Sequence, residues 1–177
     1  MATLTYETAL DTYASILQSA TQENREQARG WYPSARVQAH VLSDVTGWTL
    51  EQSSAVIAAF SPRVTWAHNV RLSWDFALGR SVRCLSASIR RAENASRLGF
   101  DGLGNGMKVN AFARNIAGIH DDVTIDTWML RPFGLKAANK TNYRTLANAV
   151  RQLAHRDNIP ASEMQALLWI IVRGRDE

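Results

Sequence analysis

The sequence contains a single cysteine, Cys84, so no disulfide can close within the chain and a four-cysteine iron–sulfur centre is excluded. A reducing compartment fits that usage. No apolar run approaches 18 residues, and no basic-then-apolar leader opens the chain. Neither membrane spanning nor secretion is therefore expected. Alternation of apolar and polar positions never lasts more than a few residues, which argues against a sheet. There is no internal repeat and no low-complexity linker. A chain of 177 residues with 46% hydrophobic content has enough material for one folded domain, or for two small helical lobes around a cleft.

Acidic residues are scarce where basic ones gather. Residues 1–60 carry three Lys/Arg and six Asp/Glu, a net of −3, whereas residues 80–114 carry seven and two, a net of +5. A local excess of that sign suits contact with phosphates, the sequence-independent part of nucleic-acid affinity. A solvated basic helix is the alternative.

Periodicity predicts an all-α fold of about eight helices. Tyr6, Ala9, Leu10, Tyr13, Ile16, Leu17 and Ala20 mark a helix expected from about residue 5 into the high twenties, broken at Gly30-Trp31-Tyr32-Pro33. Ser34 is placed as the cap of a second helix carrying Val37, Val41, Leu42 and Val45, ending at Gly47. Thr49 and Gln52 have capping-box spacing for a third. A fourth is expected from Trp66 to about Leu78, a fifth near 84–98, and a sixth from Gly106 or Met107 to Gly118. A short helix opens at Thr124 or Asp126. Tyr143 to Ala154 carries a clean apolar stripe. The last helix, after Ser162-Glu163, is apolar almost all round and is expected at the centre.

Two stretches carry chemistry. Gly104-Asn105-Gly106-Met107-Lys108 brings a glycine-rich turn to a lysine, and Ile125-Asp126-Thr127-Trp128 places an aspartate 18 positions after it. Glycine lets backbone N–H groups approach an anion closely, and a helix N-terminus favours one. A plain helix–helix connection would look similar, and Asp126 also suits an N-cap. A third stretch, Ser61-Pro62-Arg63-Val64-Thr65-Trp66-Ala67-His68-Asn69, crowds polar groups into a turn. There Arg63, His68 and Asn69 could read a base or phosphate, while Trp66 suits the core. His120-Asp121-Asp122 reads as an exposed turn, and no metal is expected there because no second ligand set stands at suitable spacing.

The first two stretches together resemble the helix-hairpin-helix DNA glycosylases of the endonuclease III and MutY type. That family carries a hairpin of the form L-P-G-V-G-x-K and a following V-D-T-H-V-x-R segment. Gly104, Gly106 and Lys108 match the hairpin, and Ile125-Asp126-Thr127 with Arg131 match the second motif. Gly102, Leu103, Asn105 and Trp128 stand where the family has leucine, proline, an aliphatic residue and histidine. The match covers roughly residues 98–135. The 61–69 stretch resembles S-P-R-x-x-W-x-x-N segments of uncharacterised phage-encoded proteins with the same lysine and aspartate motifs.

These resemblances imply a compact, phage-encoded, cluster-free helix-hairpin-helix bundle, working in the cytoplasm of a bacterial host on double-stranded DNA. No cofactor is implied. The implied activity is excision of a modified or damaged base, with or without lyase activity. Lys108 and Asp126 would be catalytic. Gly104, Asn105, Gly106, Arg114, Arg131 and Arg63 would contact DNA, and Trp66, His68, Asn69 and Trp128 would line the base pocket. Such chemistry needs a lysine that gives up its proton near neutrality, which burial or neighbouring cations favour. Two further readings stay open. Similar helical proteins occur in phage pathways that hypermodify thymine, where they resemble transferases attaching an amino acid or amine to an activated 5-hydroxymethyl pyrimidine in DNA. A non-catalytic DNA-binding module, with Lys108 as a phosphate contact, is the other.

Overall fold

A computed structural model of the protein describes residues 4–174. Among these residues the regular structure is entirely helical. The α-helices are α1 (Tyr6–Leu17), α2 (Gln22–Thr46), α3 (Leu50–Phe60), α4 (Trp66–Ala77), α5 (Ser86–Leu98), α6 (Met107–Ala117), α7 (Thr127–Leu130), α8 (Lys140–Asp157) and α9 (Ala161–Gly174). Two 3₁₀ turns, Gly99–Leu103 and Arg131–Phe133, complete them. The chain divides into two compact units: Met1–Tyr32 with His120–Glu177, and Pro33–Ile119.

The expected break at Gly30–Pro33 is not there. Helix α2 runs through Gly30 and Pro33, and Ser34 caps nothing because it lies inside the helix. The break falls earlier, at residues 18–21, where the chain pairs locally. The Thr21 N–H donates to Asn24 Oδ1 and the Asn24 N–H donates to Thr21 Oγ1. That reciprocal pair satisfies donors a helix start leaves orphaned. Pro33 costs one backbone bond, but its ring is exposed and the freed carbonyl can meet water. The expected inner face of this segment is also corrected. Val37, Val41 and Val45 are exposed; of the expected stripe Leu42 alone is buried, together with Ala35 and Ala39.

In the first unit α1 packs on α8 and α9, and α7 packs on α9. As the sequence leads one to expect, α9 is buried on most sides, with Met164, Leu167 and Leu168 inaccessible to solvent or nearly so. Each such side chain is worth about 1.5–3 kcal/mol of transfer free energy. In the second unit α3 is central. It is buried from Ser53 to Phe60, opens with the expected Thr49–Gln52 capping box, and carries α4, α5 and α6.

The 3₁₀ turn after α5 explains one glycine. A Cβ at Gly102 would collide with the α5 backbone at Asn94 and Ala95. Because backbone cannot swing aside as a side chain can, Gly102→Ala should cost about 1–3 kcal/mol, read as a lower urea midpoint at unchanged slope.

Candidate functional site

In the second unit, Gly104 is exposed at φ 68°, a conformation glycine adopts without strain. Asn105 and Gly106 are also exposed. Gly106 is the N-cap of α6 at φ −71° and offers no side-chain acceptor to the N–H groups of the first turn. The turn is held from below by Asn110, whose Nδ2 donates to the Gly104 carbonyl (2.6 Å) and the Gly106 carbonyl (3.1 Å). Lys108 sits half-buried in the first turn of α6. The stripe Val109, Phe112, Ala113 and Ile116 is buried, as the periodicity predicts.

The other proposed contacts of this unit divide by environment. Arg114 stacks its guanidinium 4.9 Å from the centre of the Phe100 ring. Trp66 lies edge-on to Phe112, with ring centroids 6.4 Å apart. Arg63 is exposed in the turn before α4 and is held at φ 64°, unusual for a residue with a Cβ. His68 is half-buried on the first turn of α4, its N–H donating to the Thr65 cap. Asn69 is buried, and its Oδ1 has no hydrogen-bond partner among the described residues.

The first unit holds Asp126, Trp128 and Arg131. Asp126 caps α7: its Oδ1 accepts from the Trp128 N–H (3.0 Å) and the Met129 N–H (3.1 Å). Its Oδ2 accepts from Trp169 Nε1–H (3.0 Å). The carboxylate is half-buried, so these bonds fix it without sealing it off. The Arg131 guanidinium lies 3.7 Å from the centre of the Trp128 ring, a cation–π stack. Arg131 also lines a groove of about 630 Å³, together with Asp11, Thr12, Ser15, Ile16, Pro132 and Val172.

Two tyrosines lock the backbone on either side of Asp126. Tyr143 donates to the Val123 carbonyl (2.8 Å) and accepts from the Ile125 N–H (3.2 Å). Tyr13 donates to the Met129 carbonyl (2.9 Å). Burial, with the Asp126 carboxylate adding to it, raises the Tyr13 hydroxyl well above the usual tyrosine range. Burial pushes Tyr143 up to about 12. Between about pH 10 and 12 the unfolded tyrosine ionises while the folded Tyr143 keeps its proton, so stability falls as pH rises through that window. Alkaline unfolding of the wild type should therefore steepen there, and Tyr143→Phe should be less stable at neutral pH but flatter above pH 10.

Sequence patterns passed over Asn110, Tyr13, Tyr143 and Trp169. Each lies on a helical stripe or face, and only its polar tip sets it apart. Tyr32, a stacking candidate by type, is buried and donates to Gln165 Oε1 (2.7 Å). His120 is not simply exposed, since its Nδ1 lies 2.9 Å from Ser162 Oγ.

The geometry defines an all-helical protein in two units, one with a glycine-built helix start bearing a lysine, the other with a fixed aspartate. The chain belongs to DUF7178, a family of unknown function, which it matches over residues 1–176. No curated protein and no solved structure matches it. Among the described residues no helix is long and apolar enough to cross a membrane.

Proposed function

We propose that the protein is a DNA base-excision enzyme of helix-hairpin-helix glycosylase type, with Lys108 as nucleophile and Asp126 as general base and cation stabiliser. The observation that carries this reading is the start of α6. Its N-cap is a glycine without a side-chain acceptor, the turn's carbonyls are drawn onto Asn110, and a lysine stands in the first turn. Helix N–H groups left without a cap are ready donors for a DNA phosphate. The basic segment around the turn adds long-range attraction.

In the proposed reaction the lysine ammonium first loses its proton to a base, the role proposed for Asp126. The freed nitrogen lone pair forms a bond to C1′ as the bond from C1′ to the base breaks. The base leaves with that electron pair and takes up the proton that Asp126 gives back. Asp126, again ionised, faces the positive charge on the sugar. The lysine adduct opens to an imine that borohydride reduces. The target nucleotide must leave the stack to be reached, and Trp66, His68, Asn69 and Trp128 are the residues proposed to contact it.

The groove beside Arg131 favours a second reading. It offers a carboxylate at Asp11, a guanidinium at Arg131 and hydroxyls at Thr12 and Ser15, a set suited to an amino acid as second substrate. A transferase onto 5-hydroxymethyl pyrimidine would leave no abasic site. Mass spectrometry of duplexes containing 5-hydroxymethyl and hypermodified pyrimidines separates the outcomes. Released base supports excision, added mass on an intact nucleoside supports transfer, and binding without turnover leaves a DNA-binding module.

Binding has its own test. Nothing lies within 4 Å of a Cβ built at Gly106, so the first carbon of the Gly106→Val side chain meets nothing within the protein. Its branched side chain would stand where a phosphate approaches. DNA affinity should drop by about 1 kcal/mol on every sequence alike, because phosphate contacts position and do not specify. Wild-type affinity should fall with salt, with a log–log slope of about −0.9 per phosphate neutralised. Unchanged affinity in Gly106→Val, or salt-independent binding, would remove the turn from the interface.

A further inference from the structure

An aspartate that serves only as an N-cap needs one oxygen, and Asp126 spends Oδ1 on two backbone N–H groups for that purpose. The bond from Trp169 to Oδ2 is surplus to capping. It comes from α9, the buried helix of the same unit, so it ties the carboxylate to a rigid element and stops it turning about its own axis. The indole is itself seated. Its ring lies 6.3 Å from Trp31, edge to face, and the Arg173 guanidinium lies 5.1 Å from its centre. An indole nitrogen only donates, so the lone pair it occupies on Oδ2 is closed to any incoming proton.

We propose that Trp169 is a positioning residue for Asp126: its Nε1–H sets the plane of the carboxylate and leaves the second lone pair of Oδ2 to meet a substrate or accept a proton. The proposal rests on the reading of Asp126 as a working carboxylate. Removing the donor frees the carboxylate to rotate, and a reacting group displaced by an ångström loses rate steeply. Binding of DNA, which uses other groups, is left alone.

The test is Trp169→Phe, which keeps an aromatic ring and removes the donor. On the duplex that the wild type turns over, kcat should fall about tenfold or more while KM stays within about twofold. A purely structural tryptophan would lower the melting temperature and leave kcat of the folded fraction unchanged, and that result overturns the proposal. A second readout needs no turnover. In the wild type, the Trp169 indole N–H should give a proton NMR signal slow to exchange with solvent, and Asp126→Ala should move it and speed its exchange. An indole signal indifferent to Asp126→Ala overturns the proposal even if Trp169→Phe fails to fold. A wild type inert on every duplex, with the indole signal responding as expected, leaves the hydrogen bond standing and sinks the catalytic reading of Asp126 instead.

Discussion

Lys108→Ala should abolish the covalent protein–DNA adduct that borohydride traps with the wild type. The imine can form only at an amine that attacks C1′, and alanine has none. The loss is expected to be complete within detection, because no other lysine occurs between residues 1 and 107 and the next two, Lys136 and Lys140, are both exposed. Folding should survive. Lys108 is half-buried at the start of a helix, and alanine has the higher helix propensity. Trapping that persists in Lys108→Ala would move the nucleophile elsewhere. Trapping that is absent in the wild type, with free base still released, would mean that water attacks and that the enzyme is a glycosylase without lyase activity.

Asp126→Asn should retain DNA binding and lose turnover by about 10²–10³-fold. Removing a charge aimed at a transition-state charge costs on that scale. The substitution is not silent for the fold. Asparagine caps a helix as well as aspartate does, but it has one acceptor oxygen where Asp126 uses two. Whichever way the amide turns, either the α7 cap or the Trp169 indole faces a donor. A stability loss of about 1–2 kcal/mol is therefore expected alongside the rate loss. Denaturant titration separates the two, since a loss of turnover explained by unfolding alone would disappear at a temperature where both proteins are fully folded. Equal kcat in Asp126→Asn and wild type would end the proposed role.

Most of the helical frame was legible in the residues. The stripes on α6, α8 and α9, the Thr49–Gln52 box, the stop at Gly118 and the cap at Asp126 are all local signals, decided by spacing and by a few side-chain hydrogen bonds. The errors arose where local signals compete. Gly30 and Pro33 read as a break, yet one lost hydrogen bond at an exposed proline was outweighed by the continuity of α2, while the Thr21–Asn24 pair made the real break. Val37, Val41 and Val45 read as an inner face by hydrophobicity, yet the smaller Ala35 and Ala39 are on the buried side.

The sequence by itself determined the all-helical class, the absence of a disulfide within the chain, the position of the basic segment, and the two motifs that carry Lys108 and Asp126. Those depend on composition and on neighbours within a few residues. The tertiary structure alone decided that α9 supplies the donor to Asp126 Oδ2, that Tyr13 and Tyr143 clamp the backbone around it, and that Gly102 is required by the backbone of α5. The glycine is required by a neighbour it meets only once the 3₁₀ turn has folded back. In the other cases the partner lies between 18 and 116 positions away. No periodicity connects such residues, and only the packing of helices on one another brings their polar tips together.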